Sequence, residues 1–365
     1  MVYTTQANEK ISSLKEKTPI ILGIETSCDD TSVAVLRGES EVLSLCTNSQ
    51  ILIHREFGGV VPEIASRNHV KNIMPVTMAA IEQAGITLGD LDAIAVTSNP
   101  GLLGALLSGL NFAKGLAFSL GIPYVGVNHI CGHISANYLS NPDLKPPYIC
   151  LVASGGHSQI IYVKSYFEYE VLGGTCDDAA GESLDKIARL LGLPYPGGPY
   201  LEELAKNGDE KAFDFKSDFN KSKTPNFSFS GVKTAVMNLI DNKKKKGEEI
   251  NKADIAASFQ RAVMEALVYK TMLVAKMTDV QTVAVAGGVS ANTRLRNMLK
   301  KLCERNSLKL VMPELKYCTD NGAMIACAGY HMLIDGQMSD LSLDAKASGE
   351  LSKKKYQISN SEGEQ

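Results

Sequence analysis

Two histidines, His129 and His133, stand four residues apart directly after the strand-like run Val125 to Val127. Asn128 is suited to cap a helix beginning here, which places His129 in its first turn. Residues i and i+4 share a helix face with Cβ atoms about 6 Å apart, so both imidazoles can reach one cation. The positive end of the helix dipole disfavours protonated imidazole and keeps the rings available as neutral ligands. The same spacing also fits two helical histidines with no metal between them. Two imidazoles leave a metal under-coordinated, so a carboxylate is expected from elsewhere. Asp320, in Tyr317-Cys318-Thr319-Asp320-Asn321-Gly322, precedes a helical stretch and is the candidate. It also reads as an N-cap, the commoner use of such a residue; Thr319 could take that place and free it. Two imidazoles and a carboxylate with open positions suit iron or zinc meeting substrate oxygens. A zinc peptidase would instead need Glu directly after the first His, or before the second in the inverted motif. Those positions hold Ile130 and Gly132.

A second set of residues suits a nucleotide. No G-x-x-x-x-G-K-[ST] loop occurs, so phosphate would be cradled by glycine turns. Ser154-Gly155-Gly156 is one such turn, exposing backbone N–H groups that a Cβ would crowd. Thr282 to Ala286, Gly287-Gly288-Val289-Ser290 and a helix through Asn292 make strand, glycine turn and helix N-terminus, a setting for adenosine or phosphate. Each also reads as an ordinary connection. In Gly181 to Leu191 the apolar face is Leu184, Ile187, Ala188 and Leu191, which leaves Asp185 off the core face. Asp185 there can accept ribose or amino-acid hydrogen bonds, or only favour the dipole. Gly197-Gly198-Pro199 reads as a rigid turn that lets a ligand approach the backbone.

These groups need a scaffold, and the pattern around them is duplicated. Ile20 to Ile24, a small acidic turn through Glu25 to Asp30, and Val33 to Leu36 read as a β-hairpin. About 128 residues later the plan returns, with Tyr148 to Val152, the turn Ala153 to Ser158, and Ile160 to Val163. Strand-like segments at 91–96, 125–127 and 282–286 alternate with helical spacing at 68–84, 105–120, 255–276, 291–304 and 322–334. Alternating elements predict an α/β fold of two lobes, each a mixed sheet flanked by helices. The expected divisions are an N-terminal extension at 1–18, a first lobe at 19–145 carrying the histidines, a second lobe at 146–338, and a frayed tail at 339–365. The lobe boundary is placed by Pro142, Pro146 and Pro147.

Bulk properties exclude several classes. Composition is ordinary globular, 44% hydrophobic and 21% charged, with no run of eighteen apolar residues and no signal-like segment. Eight cysteines without a Cys-x-x-Cys pair indicate reduced thiols and a cytoplasmic setting, with no membrane partner expected. Net charge is −3, so the molecule as a whole does not present a nucleic-acid surface. The basic tracts Lys243 to Lys246 and Lys353 to Lys355 read as a solvated loop and part of the tail.

Taken together, the motifs resemble one family. Gly23-Ile24-Glu25-Thr26-Ser27-Cys28-Asp29-Asp30-Thr31, Asn128-His129-Ile130-Cys131-Gly132-His133, Ser154-Gly155-Gly156-His157, Tyr195-Pro196-Gly197-Gly198-Pro199, Phe227-Ser228-Phe229-Ser230-Gly231, Gly287-Gly288-Val289-Ser290-Ala291-Asn292 and Cys318-Thr319-Asp320-Asn321-Gly322 are similar to those of the TsaD family in its bacterial form. Those proteins are tRNA N6-adenosine threonylcarbamoyltransferases, formerly described as O-sialoglycoprotein endopeptidases. The resemblance implies an actin-like (ASKHA) double lobe. It implies transfer of threonylcarbamoyl from threonylcarbamoyl-AMP to adenosine 37 of tRNAs reading ANN codons. It carries one divalent metal ion per subunit, usually iron with zinc as the alternative, to His129, His133 and Asp320. It carries substrate contacts to Val152, Ala153, Ser154, Gly155, Gly156, Asp185, Gly198 and Asn292; Glu202, where some members have Asp, departs from the pattern. The implied partners are TsaB, the ATPase TsaE and a TsaC-type enzyme that makes the adenylate.

Overall fold

The computed structural model describes residues 2–215, 221–349 and 351, built on two five-stranded sheets of the same plan. In the first, β1 (Ile20–Glu25), β2 (Asp30–Arg37) and β3 (Glu41–Ser49) form an antiparallel meander. Two further strands, β4 (Ala93–Asn99) and β5 (Tyr124–Asn128), extend it in parallel from β1. In the second, β6 (Tyr148–Ala153), β7 (Ser158–Val163) and β8 (Tyr169–Gly174) repeat the meander. There β9 (Thr282–Ala286) and β10 (Lys309–Val311) repeat the parallel extension. Ile20 pairs with Arg37 in one hairpin and Tyr148 with Val163 in the other, so the duplication visible in sequence is one of topology. Strands β1 and β6 are buried on both faces, which is why they read as continuous apolar runs rather than alternating ones.

Helices α1 (Val2–Ser13), α2 (Ile51–Arg55), α3 (Pro62–Gln83) and α4 (Leu103–Leu120) belong to the first lobe. One face of its sheet, with Leu22, Ile24, Val33 and Val96, is covered by Ile73 and Ala80 of α3 and by Leu106 and Leu110 of α4. By length and apolarity α4 is the one helix, among the described residues, that could cross a membrane; here it covers the sheet. The 2–18 stretch of the expected N-terminal extension is packed too, with Tyr3, Ala7, Ile11 and Leu14 buried. Between the sheets lies α5 (His129–Ser140). The second sheet is flanked by α6 (Ala180–Leu190), α7 (Gly197–Ala205), α8 (Ser230–Lys246), α9 (Lys252–Thr278) and α10 (Thr293–Arg305).

Three expectations are corrected. Residues 322–334 do form a helix, α11 (Gly322–Ile334), but it packs on β1, β2, β4, β5 and α5 of the first lobe rather than within the second. Ala323 to Cys327 are all fully buried, and a helix apolar on every side must lie between two apolar layers. The 339–349 segment is a strap, not a frayed tail: Ser339 N donates to Tyr124 O at 2.8 Å and Lys346 N to Ser98 O at 3.0 Å, and Ala345 is buried. Lys353 to Lys355 lie outside the described residues. Lys243 to Lys246 form the last turn of α8, where positive charge complements the helix dipole, instead of a loop.

The layer between the sheets also holds a titratable group. The ring of His331 on α11 stacks on Tyr166 with centroids 4.0 Å apart, and Nε2 is buried without a hydrogen bond, 3.7 Å from Glu39 Oε1. Burial lowers its pKa from 6.5 to about 4. The unfolded chain therefore takes up this proton first as pH falls through 6.5, and stability is lost between pH 6.5 and 4 but not above. Urea unfolding at pH 7 and pH 5 should show a loss that His331→Phe reduces by about 2 kcal/mol. An identical loss in both proteins would refute this role.

Candidate metal and nucleotide site

Strand β5 ends at Asn128, whose side chain accepts the amide protons of Ile130 at 2.9 Å and Cys131 at 3.4 Å, so α5 starts at His129 as its sequence suggests. The two imidazoles stand edge to face, with centroids 4.6 Å apart. Asp320 Oδ1 lies 3.5 Å from His129 Nε2 and 3.2 Å from His133 Nε2. What frees Asp320 is neither Thr319 nor its own capping: Asn321 caps α11 by accepting from Met324 N at 2.8 Å. Close backbone contact brings α11 to this place. A Cβ on Gly23 would sit 2.1 Å from Gly322 O, and Gly322 N donates to Ser32 Oγ at 3.0 Å.

One ligand atom from each of these three residues lies within 4.8 Å of the others. His133 is fully buried, and neither of its ring nitrogens makes a hydrogen bond. A buried orphan nitrogen is destabilising unless something accepts its lone pair, and a cation between the three groups would do so. The set therefore fits a metal ion. Burial opposes charge on Asp320, but the adjacent imidazoles hold its carboxyl far below the ordinary range. Burial disfavours charge on His129, yet Asp320 and Glu25 raise its pKa to about 9, so a metal ion would displace a proton there.

Glu25 is a candidate site residue that sequence reasoning missed, having been read as part of a turn. It ends β1 with no solvent exposure, and its Oε2 lies 3.0 Å from His129 Nδ1. Thr97 Oγ1 donates to the same oxygen at 2.6 Å and Ser27 N donates to Oε1. A carboxylate on Nδ1 keeps the proton there, so Nε2 is the nitrogen that would give up its proton and turn a lone pair toward a metal ion between Asp320 and His133. The available signal was an acid closing an otherwise apolar strand.

Beside this cluster runs a cleft of about 570 Å³ between the lobes. Ser27 to Asp30, Gly101, Leu102 and His129 line one side; Ser154 to His157, Asp185, Tyr195, Gly198 and Asn292 line the other, with Asp320 between. Val152 and Ala153 do not line it, being fully buried on β6, where they support the turn that follows. An added Cβ at Gly155 or Gly156 would meet no protein atom within 4 Å, so the backbone of this turn is open to the cleft. Gly181 is tight, since its Cβ would lie 2.5 Å from Ser154 O; it seats the hairpin turn on the start of α6. Gly197 to Pro199 are not a free turn but the first turn of α7, and Asp185 Oδ1 accepts from Gly197 N at 2.7 Å and Gly198 N at 3.1 Å. The start of α10 is also not open to phosphate. Asn292 caps it, and Glu202 accepts from Thr293 N at 2.9 Å and from Asn292 Nδ2 at 3.0 Å. Burial first, then the charges of His129 and His133, lower the pKa of His157 to about 4 and keep that ring neutral.

The sequence model of the TsaD family, tRNA N6-adenosine threonylcarbamoyltransferase, matches residues 41–327. The chain belongs to the TsaD family. That makes it an acyltransferase. It is 54% identical over 326 residues to the tRNA N6-adenosine threonylcarbamoyltransferase of Thermosipho africanus, covering 89% of this chain and 98% of the relative. It is 52% identical over 325 residues to that of Clostridium botulinum, covering 89% and 96%. Solved structures share the fold at low identity. One is HypF of T. kodakarensis, TM-score 0.58 and 17% identity over 88% of this chain and 48% of that one. Another is component A of the Acidaminococcus fermentans (R)-2-hydroxyglutaryl-CoA dehydratase, TM-score 0.54 and 17% identity over 87% and 99%. The fold is therefore the actin-like ASKHA double sheet. Within this TsaD chain, His129, His133, Asp320 and all the cleft-lining residues named above except Ser27 to Asp30 fall inside the matched span.

Proposed function

We propose that this chain transfers the threonylcarbamoyl group from threonylcarbamoyl-AMP to N6 of adenosine 37 in tRNAs reading ANN codons. The observation that carries the reading is one cleft in which a His129–His133–Asp320 cluster adjoins a wall suited to a mononucleotide. The three residues would hold one divalent ion, Fe(2+) in preference to Zn(2+), which when bound supplies a Lewis acid that orients substrate oxygens. Everything else falls to the chain's own groups. The exocyclic amine of adenine is a weak nucleophile because its lone pair is delocalised, so rate must come largely from positioning. Open backbone at Gly155, Gly156 and Gly198 allows close approach of the AMP moiety. Asp185 holds the Gly197–Gly198 amides in place, and neutral His157 lines the cleft beside the metal cluster.

TsaB, TsaE and a TsaC-type enzyme are the proposed partners, and the cytoplasm is the proposed compartment. With net charge −3, tRNA binding is assigned to a surface shared with those partners. A peptidase reading is not favoured. Ile130 and Gly132 occupy the positions where that chemistry needs Glu, and Glu25 contacts the Nδ1 side of His129, away from Asp320. The test is reconstitution with the partner proteins, threonylcarbamoyl-AMP and an ANN-reading tRNA, reading modified adenosine by mass spectrometry. Product that depends on this chain is expected. No product with this chain, where a reference TsaD protein makes it under the same conditions, would overturn the reading.

A further inference from the structure

Helix α2 sits at the rim of the cleft, with Ile51 in the cleft wall. From its last position Arg55 reaches the opposite lobe. Its Nε donates to Tyr195 O at 3.2 Å and its Nη2 to Tyr200 Oη at 3.2 Å, and the guanidinium carbon lies 5.9 Å from the Tyr200 ring centroid. Tyr195 and Tyr200 bracket Gly197 and Gly198, whose amides Asp185 holds from within the second lobe. This stretch of the cleft wall is thus held from both lobes. A second approach follows nearby, where a Cβ on Gly59 would lie 3.7 Å from Arg189 of α6. The described chain passes between the sheets at 141–147 and 312–321, and Arg55 belongs to neither connection.

We propose that Arg55 is a positioning residue that latches the two lobes together over the nucleotide through Tyr195 and Tyr200. This rests on the reading that the cleft holds an acyl adenylate. The contacts are exposed and join a charged donor to neutral oxygens, so they are weak enough to open for substrate and product. Lysine cannot replace the arginine, because a single ammonium does not span two acceptors in a fixed fork while lying against a ring.

Full-length wild type, Arg55→Ala, Arg55→Lys and Tyr200→Phe are to be compared by calorimetry with AMP, by small-angle scattering with and without AMP, and by steady-state kinetics. AMP affinity should fall about fivefold in Arg55→Ala and Arg55→Lys, and less in Tyr200→Phe. The AMP-bound radius of gyration should exceed that of wild type in both arginine variants. KM for the adenylate should rise by a similar factor with kcat within about twofold. Equal AMP affinity and equal AMP-bound scattering in wild type and Arg55→Ala would overturn the latch. If wild type binds AMP but makes no modified adenosine, the transferase reading fails while calorimetry and scattering still decide the latch. Failure of wild type to bind AMP overturns the latch, while the modified-adenosine assay still decides the transferase reading.

Discussion

His133→Ala is expected to leave the protein without bound metal and to reduce threonylcarbamoyl transfer about a thousandfold. The side chain is fully buried, makes no hydrogen bond through either nitrogen, and faces Asp320 at 3.2 Å. Its local surroundings give it no other polar function. Removing it leaves one imidazole and one carboxylate, too few protein ligands to hold a divalent ion against water. Elemental analysis of anaerobically purified protein, together with the modified-adenosine assay, checks both parts. Chelation of wild type should reproduce the variant, and the variant should respond neither to chelator nor to added metal. One ion per subunit with undiminished transfer in His133→Ala would remove the histidine from the site.

Glu25→Gln should behave differently, and the difference separates holding the ion from orienting its ligand. Glu25 contacts His129 on the nitrogen facing away from Asp320, so its loss leaves all three ligands in place. A neutral amide gives Nδ1 a weaker acceptor and leaves the proton position of His129 less strictly set. Metal affinity should fall about 10- to 100-fold. Activity should fall with it and, unlike in His133→Ala, return when excess metal is supplied. Thr97 donates to the same carboxylate oxygen, so Thr97→Val should shift affinity in the same direction by a smaller factor. Competition against a chelator of known affinity measures all three proteins on one scale. Wild-type affinity in Glu25→Gln would show that the buried carboxylate serves packing and not the metal.

Legibility differed with the range of the interaction. The histidine pair, the Asn128 cap and the paired hairpins were readable because each depends on neighbours within a few residues. Strands β3 and β8 carry mixed burial and little apolar alternation, so periodicity passed over them. Helix α7 begins with Gly-Gly-Pro, a sequence whose local preference is a turn. It is helical because Asp185 takes its first two amides and Leu201 is buried in the core. Asn321 was overlooked as a cap because Thr319 and Asp320 offer the same chemistry one or two residues earlier.

The sequence by itself determined the chemistry on offer: two imidazoles on one helix face, a free acid before another helix, and glycine turns opening duplicated hairpins. Those follow from helical and strand periods, which act over short stretches of chain. Only the tertiary structure decided that Glu25 stands behind His129 across 104 residues and that Arg55 meets Tyr200 across 145. It also decided that α11 returns to the first sheet and sets Asp320 against both imidazoles. Such pairs depend on which faces of distant elements bury against one another, and packing between sheets leaves no local period to read.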